Sequence, residues 1–322
     1  MRKIGILTSG GDAPGMNACI RAVVRAGVEE GLEVIGIRRG YAGILPREFI
    51  RLQPRTVANI IQRGGTFIGT SRYPDMLKAS VRKRIISVLH EEKIDALVTL
   101  GGDGTFRGAT VLAKEGGIKV VGIPTTIDND VYGTDYTIGF DTAVNTALDA
   151  IDRIRDTATS LERLYFIEVM GRTRGFIALH VGLAGGADAI CIPETETDVD
   201  ELCRTLRDRF ARGKKSGLVV VAEGDMPGGA MELAKRVSSC LNEEYRVCVL
   251  GHVQRGGAPT ARDRVLAGRL GAAAVEALLH GHSGHMVGER GGNVVLTPLE
   301  ATWKNTKELD PSLLKLIDVL SR

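Results

Sequence analysis

Ala96-Leu97-Val98-Thr99-Leu100-Gly101-Gly102-Asp103-Gly104-Thr105 is the stretch that decides the fold. Its first half reads as a buried strand, and the glycines that follow make a tight turn. A second stretch repeats the arrangement: the apolar run 119–123 leads into Pro124-Thr125-Thr126-Ile127-Asp128-Asn129-Asp130. Both loops fall where an open α/β sheet presents its strand ends to a ligand. The first offers glycine backbone and one carboxylate, the parts needed to approach polyphosphate and hold a divalent cation. The second offers Asp128 and Asp130, which point the same way from an extended segment and suit a general base with a supporting carboxylate. Together they predict phosphoryl transfer.

Outward from these loops, short apolar runs alternate with longer amphipathic segments. Strands are expected at 4–7, 34–37, 96–100, 120–123, 164–169, 189–192, 218–222 and 247–250. Helices fit 18–30, 80–92, 105–114, 141–160, 198–212, 231–243 and 262–279. In the first helix Ile20, Val23, Val24 and Val28 repeat at helical spacing, with Arg21 and Arg25 on another face. Such alternation predicts parallel sheets covered by helices on both sides. A second cluster of four strands past the middle makes two sheets the expectation, with crossings at the long helix after Asp141 and at Gly251.

Bulk properties narrow the function. A length of 322 residues suits two domains, and 43% hydrophobic with 25% charged residues suits a soluble globular protein. A formal charge of +3 without a long basic run gives nucleic-acid binding no support. No apolar stretch approaches the roughly 20 residues that span a bilayer, so no membrane partner is expected. The N-terminus is expected to run straight into a strand, with no signal peptide expected. Cys19, Cys191, Cys203, Cys240 and Cys248 form no CxxC pair, and a buried, reduced set in a cytoplasmic protein is expected.

A third loop, Thr8-Ser9-Gly10-Gly11-Asp12-Ala13-Pro14-Gly15-Met16-Asn17, joins a strand to a helix and places backbone amides where an anion can dock. It matches neither the Walker pattern nor the GxGxxG fingerprint, so nucleotide binding here uses another geometry. These three loops, with Met170-Gly171-Arg172 and Gly251-His252-Val253-Gln254-Arg255-Gly256-Gly257, are similar in order and spacing to the bacterial 6-phosphofructokinases. The resemblance runs over essentially the whole chain. It implies two doubly wound, Rossmann-like parallel-sheet domains with the active site in the cleft between them. The ATP-binding domain is expected at 1–139 plus 252–304, and the fructose 6-phosphate-binding domain at 140–251 plus 305–322.

The implied reaction moves the γ-phosphoryl of Mg-ATP to the 1-hydroxyl of fructose 6-phosphate, giving fructose 1,6-bisphosphate and ADP, the committed step of glycolysis. By the same resemblance Asp128 matches the proton acceptor, Asp130 a supporting carboxylate, Thr126 a neighbour of the transferring phosphoryl, and Asp103 the carboxylate associated with Mg²⁺. Gly11, Arg72, Tyr73, Gly102, Asp103, Gly104 and Thr105 match ATP-contacting positions. Arg72 and Arg172 are suited to neutralise charge on the transferring group. Arg163, Arg172, Arg246, His252 and Arg255 resemble the ligands of the sugar phosphate, an anion that forked guanidinium donors hold well. Met170, Gly171 and Glu223 match positions that hold the sugar hydroxyls. Counterparts of Arg163 and Arg246 reach in from a neighbouring subunit, which implies a homotetramer with shared sites.

An effector site for ADP or phosphoenolpyruvate is implied at Arg21, Arg25, Arg155, Gly186, Asp188, Arg212, Lys214, Lys215 and Ser216. There the match departs. Pro54 and Asn59 replace a common arginine and aspartate, and Asp188 stands for a glutamate. At the donor site, pyrophosphate-using relatives carry aspartate where this chain has Gly104 and lysine where it has Thr125. Gly104 speaks for ATP, Thr125 matches neither pattern, and a pyrophosphate-dependent enzyme is the alternative. NAD and lipid kinases share GGDGT but lack the other motifs. A sugar-phosphate-binding subunit without chemistry is expected to lose Asp103 or Asp128, and both are present.

Overall fold

A computed structural model describes residues 1–241 and 244–320. The chain begins β1 (Lys3–Thr8), α1 (Met16–Glu29), β2 (Glu33–Ile37), β3 (Phe49–Leu52), α2 (Ala79–Glu91), β4 (Ala96–Gly101), α3 (Asp103–Gly116) and β5 (Lys119–Pro124). The long helix α4 (Phe140–Leu161) leads to β6 (Leu164–Val169), α5 (Phe176–Ala184), β7 (Ala189–Cys191), α6 (Val199–Ala211), β8 (Gly217–Ala222), α7 (Gly229–Leu241) and β9 (Tyr245–Val249). There follow α8 (Ala261–Leu279), β10 (His285–Arg290), β11 (Asn293–Pro298), α9 (Ala301–Lys304) and α10 (Pro311–Leu320). The helix expected at 231–243 runs onto Asn242 and Glu243, which lie outside the described residues.

Two compact units emerge. The first comprises Met1–Thr142 and Arg255–Lys307, the second Ala143–Gln254 and the chain from Glu308 onward. Each crossing falls three residues beyond the expected one. In the first unit a seven-stranded sheet runs β11-β10-β5-β4-β1-β2-β3. The strands β10, β5, β4, β1 and β2 are parallel, while β3 and β11 pair antiparallel at the two edges. The sheet is therefore mixed, not parallel throughout. One face is covered by α1 and α8, through Ile20, Val23, Leu266 and Leu270; the other by α2 and α3, through Ile85, Leu89, Phe106 and Leu112. Burial on both faces explains why β4 reads as an unbroken apolar run, with all six residues buried.

The second unit carries a four-stranded, wholly parallel sheet in the order β7-β8-β6-β9. Its core joins Phe166, Val219 and Val221 to Leu202, Leu206, Leu233 and Val237. Cys19, Cys191 and Cys203 are buried, but Cys240 is exposed and Cys248 is half-buried, so the expected burial of all five does not hold. Both of the latter lie at edges: Cys240 in the last turn of α7, and Cys248 on the edge strand β9. No helix of the described residues is long and apolar enough to cross a membrane.

Candidate active site

In the first unit the chain passes from β1 to β2 on one side and later returns to place β4 on the other side of β1. This reversal is a topological switch point, where α/β sheets bind ligands beyond their strand ends. The three loops singled out in the sequence follow the adjacent strands β1, β4 and β5, so all open at this edge. Main-chain bonds tie them together. Ser9 N donates to Leu100 O at 3.0 Å, and Thr125 N donates to Gly101 O at 3.0 Å. The Thr105 hydroxyl donates to Ser9 O at 2.9 Å. Gly101 is required by this closeness, because a Cβ there would lie 2.3 Å from Thr105 Oγ1 and 2.5 Å from Ser9 O.

Helix α3 starts at Asp103, two residues earlier than expected, with Gly102 as its N-cap and no side-chain cap bond. Its first amides therefore remain available to an anion. Around Gly104 the space is open: a Cβ would meet nothing within 4 Å. Thr105 lies buried with its hydroxyl directed to Ser9 O, so its place is in holding two loops together. Arg72 is exposed and Tyr73 is partly buried against the core. Ser71 O accepts from Gly10 N at 3.1 Å, which sets Arg72 next to the first loop. Arg255 belongs to this unit too; its Nη1 donates to Asp12 O at 3.4 Å, beside Gly11.

The loop after β5 differs from the extended segment expected. Asn129 has φ +53°, in the left-handed region, so strand alternation does not govern Asp128 and Asp130. Asp128 is 3% exposed, whereas Asp130 is half-buried. The Thr126 hydroxyl accepts from Asp128 N at 3.2 Å and donates to Asp128 Oδ2 at 3.4 Å. Asn129, between the two carboxylates, pins the loop: its Nδ2 donates to Asp135 O at 3.2 Å and its Oδ1 accepts from Thr137 N at 2.9 Å. Thr137 Oγ1 donates to Thr126 O at 2.6 Å. Neither Asn129 nor Thr137 stood out in the sequence, because their partners lie six to eleven residues away in irregular chain.

Among the described residues no cluster of three or more His, Cys, Asp or Glu side chains could cage a metal. What the site offers is Asp103 in the first turn of an uncapped helix, with open space at Gly104. That set fits Mg²⁺, which keeps several waters and is held by one or two carboxylates together with substrate phosphates.

In the second unit Met170-Gly171-Arg172, Glu223 and His252 follow the adjacent strands β6, β8 and β9 at one edge of the sheet. Glu223 N donates to Val169 O at 2.9 Å, and Glu223 Oε1 accepts from Arg172 N at 2.6 Å. Arg172 has φ +57° and Gly171 φ +148°, where a Cβ would lie 2.4 Å from Arg174 O. This is a strained turn that aims an exposed arginine outward. Fully buried Gln254 accepts from Met170 N at 2.9 Å through Oε1 and so joins the turn carrying His252 to the end of β6. Glu194 accepts from Gly175 N and pairs with Arg174 Nε at 3.3 Å. Burial raises the Asp225 carboxyl, with the Thr197 hydroxyl at 2.8 Å pulling the other way.

Arg163 and Arg246 lie elsewhere. Arg163 precedes β6 and Arg246 is the second residue of β9, both at the opposite edge of the same sheet. At about 3.3 Å per residue Arg163 is roughly 20 Å from Met170 along the strand. Both pair with Glu244 Oε2, at 3.1 and 3.6 Å. Within one chain they do not join the group around Met170.

The positions matched to an effector site also sit at this edge, apart from Arg21 and Arg25 on α1 of the first unit. Asp188 is 2% exposed, pairs with Arg209 and Lys214, and accepts from Leu218 N at 2.8 Å. It is thus a neutralised carboxylate inside the fold. Arg155 donates to the carbonyls of Gly185 and Gly186, and Lys215 pairs with Glu162 at 2.8 Å. Arg212 is exposed and Ser216 half-buried.

Comparison with known proteins agrees with this architecture. The model of the family described as Phosphofructokinase matches residues 3–278. The chain is 60% identical over 321 residues to ATP-dependent 6-phosphofructokinase 1 of Thermus thermophilus, covering 100% of both chains. It is 52% identical over 323 residues to ATP-dependent 6-phosphofructokinase of Clostridium botulinum, again over 100% of both. Among solved structures, phosphofructokinase from Saccharomyces cerevisiae superposes with a TM-score of 0.89 at 34% identity over 100% of this chain. This chain spans 47% of that yeast chain. The pyrophosphate-dependent phosphofructokinase from Marinobacter aquaeolei shares the fold, with a TM-score of 0.86 at 24% identity, 99% of this chain and 91% of that one. With three strand-end loops, an uncapped helix start and a pinned carboxylate pair already in place, the matches settle the kinship: the chain belongs to the phosphofructokinase family.

Proposed function

We propose that the protein is an ATP-dependent 6-phosphofructokinase, transferring the γ-phosphoryl of ATP to the 1-hydroxyl of fructose 6-phosphate. The observation that carries this reading is the 60% identity, over the whole of both chains, to an enzyme of that name. Asp128 takes the proton of the sugar hydroxyl while the oxygen attacks phosphorus and the bond to the ADP oxygen breaks. Its burial and its bonds to Thr126 hold the carboxylate in one orientation, which favours proton transfer at a fixed atom. Arg72 and Arg172 balance charge on the transferring group. Asp103 would hold Mg²⁺, which when bound would neutralise charge on the donor phosphates.

The first unit binds ATP on the amides at the start of α3 and on the loops after β1 and β4. Open space at Gly104 supports a full nucleotide over pyrophosphate, since an aspartate there would project into it. The second unit binds fructose 6-phosphate through Met170, Gly171, Arg172, Glu223 and His252. The far-edge position of Arg163 and Arg246 supports their service to a neighbouring copy, hence a homotetramer. The basic group around Arg155, Arg212 and Lys215 suits ADP or phosphoenolpyruvate as effector. A cytoplasmic location accords with the glycolytic role.

A coupled assay of aldolase-cleavable product, run with ATP and with pyrophosphate in parallel, tests the reading. Rapid turnover with ATP is expected, and turnover with pyrophosphate alone would overturn the donor assignment.

A further inference from the structure

Lys307 is the last residue of the first unit, just beyond α9, and belongs to none of the sequence motifs. Its Nζ donates to Asp135 O at 2.8 Å. That same carbonyl accepts from Asn129 Nδ2 at 3.2 Å, and Asn129 stands between Asp128 and Asp130. A carbonyl oxygen has two lone pairs, and here the two donors are a lysine from the end of the unit and the asparagine that shapes the carboxylate loop. Asp135 is itself immobilised: its N donates to Glu289 O at 2.7 Å, and its Oδ2 accepts from Gly291 N at 2.7 Å. The lysine thus meets the carboxylate loop through a fixed node.

The chemistry of the ammonium points the same way. Burial pulls Lys307 down to about 7, while the carboxylates of Asp135 and Asp130 draw it back toward the charged form and Arg290 opposes them. A partly buried lysine costs free energy that a methionine of similar length would not. Its bond to the carbonyl that also holds Asn129 gives that cost a use.

We propose that Lys307 is a positioning residue for the phosphoryl-transfer loop: it shares the Asp135 carbonyl with Asn129 and so holds the segment that carries Asp128 and Asp130. The inference rests on the reading of Asp128 as the base. It predicts that losing the ammonium displaces the carboxylates relative to the sugar hydroxyl and lowers turnover, while both substrates bind as before.

The test compares steady-state kinetics of the full-length enzyme with Lys307→Met, Lys307→Gln and Lys307→Arg, with circular dichroism to establish folding. In Lys307→Met, kcat is expected to fall about ten- to a hundredfold, the range for removing a group that orients a reacting one. KM for ATP and for fructose 6-phosphate should stay within about twofold, and Lys307→Arg should recover most of kcat. Lys307→Gln, one atom shorter and so withdrawn from the Asp135 carbonyl, carries the same expectation and stands in if Lys307→Met does not fold. Unchanged kcat in either uncharged variant, or a loss confined to KM, or no recovery in Lys307→Arg, would overturn the proposal. Asp128→Ser run alongside separates the two readings. Its collapse with an unaffected Lys307→Met condemns the inference alone, and its full activity condemns the assignment of the base and the inference together.

Discussion

The two units hold their loops by different means, and the difference bears on what each can do. In the first, the carboxylate loop is fixed by side chains that reach back to main chain: Asn129 to Asp135 and Thr137, Thr137 to Thr126, Thr126 to Asp128. Asp128 is buried by this lacing, which suits the fixed base proposed above. In the second, the strand-end turn carries strain at Arg172, next to a glycine that takes positive φ freely, and presents exposed side chains. Such an edge suits a ligand held by charge. On the function proposed above, the contrast matches turnover to the first unit and sugar-phosphate affinity to the second.

Mutations can break or sharpen this division. Asp128→Ser should lower kcat by at least about a hundredfold, as for loss of a positioned general base, with KM for both substrates largely kept. A rise in KM alone would blur the division. Arg163→Ser should raise KM for fructose 6-phosphate about thirtyfold, the loss of one charge-assisted phosphate contact, and leave KM for ATP unchanged. A fall in kcat at unchanged KM would move Arg163 into the chemistry. Smallest in its kinetic effect is Asp188→Ala. It leaves the partly buried Arg209 without its carboxylate and should lower stability by about 2 kcal/mol in thermal unfolding, discounted for the exposure of Lys214. Turnover without effectors should not change.

The sequence made the strand-end loops legible because glycine and carboxylate at the end of an apolar run have few other uses. It also showed the alternation that makes the sheets. The extended backbone expected between Asp128 and Asp130 fails at Asn129, whose positive φ is favoured by bonds to residues no local pattern connects. Thr105, matched to an ATP-contacting position, also ties two loops together through its hydroxyl, a bond no local pattern announces. The helix α5 escaped notice because Phe176-Ile177-Ala178-Leu179 is apolar on every face and shows no stripe. The hairpin of β10 and β11 had a readable sign, Gly291-Gly292 between two β-prone runs, and both glycines take positive φ. The far-edge position of Arg163 and Arg246 follows from pairing of β6 with β9, a fact of tertiary structure.

That far edge supplies the most direct test, a subunit-mixing experiment between Asp128→Ser and Arg163→Ser. Each variant alone is impaired. In mixed assemblies a site can draw Asp128 from one chain and Arg163 from its neighbour. Equal mixing after dissociation and reassembly should restore turnover at low fructose 6-phosphate well above that of either parent. Activity no higher than the average of the two parents would contradict the account, placing both residues in the site of a single chain.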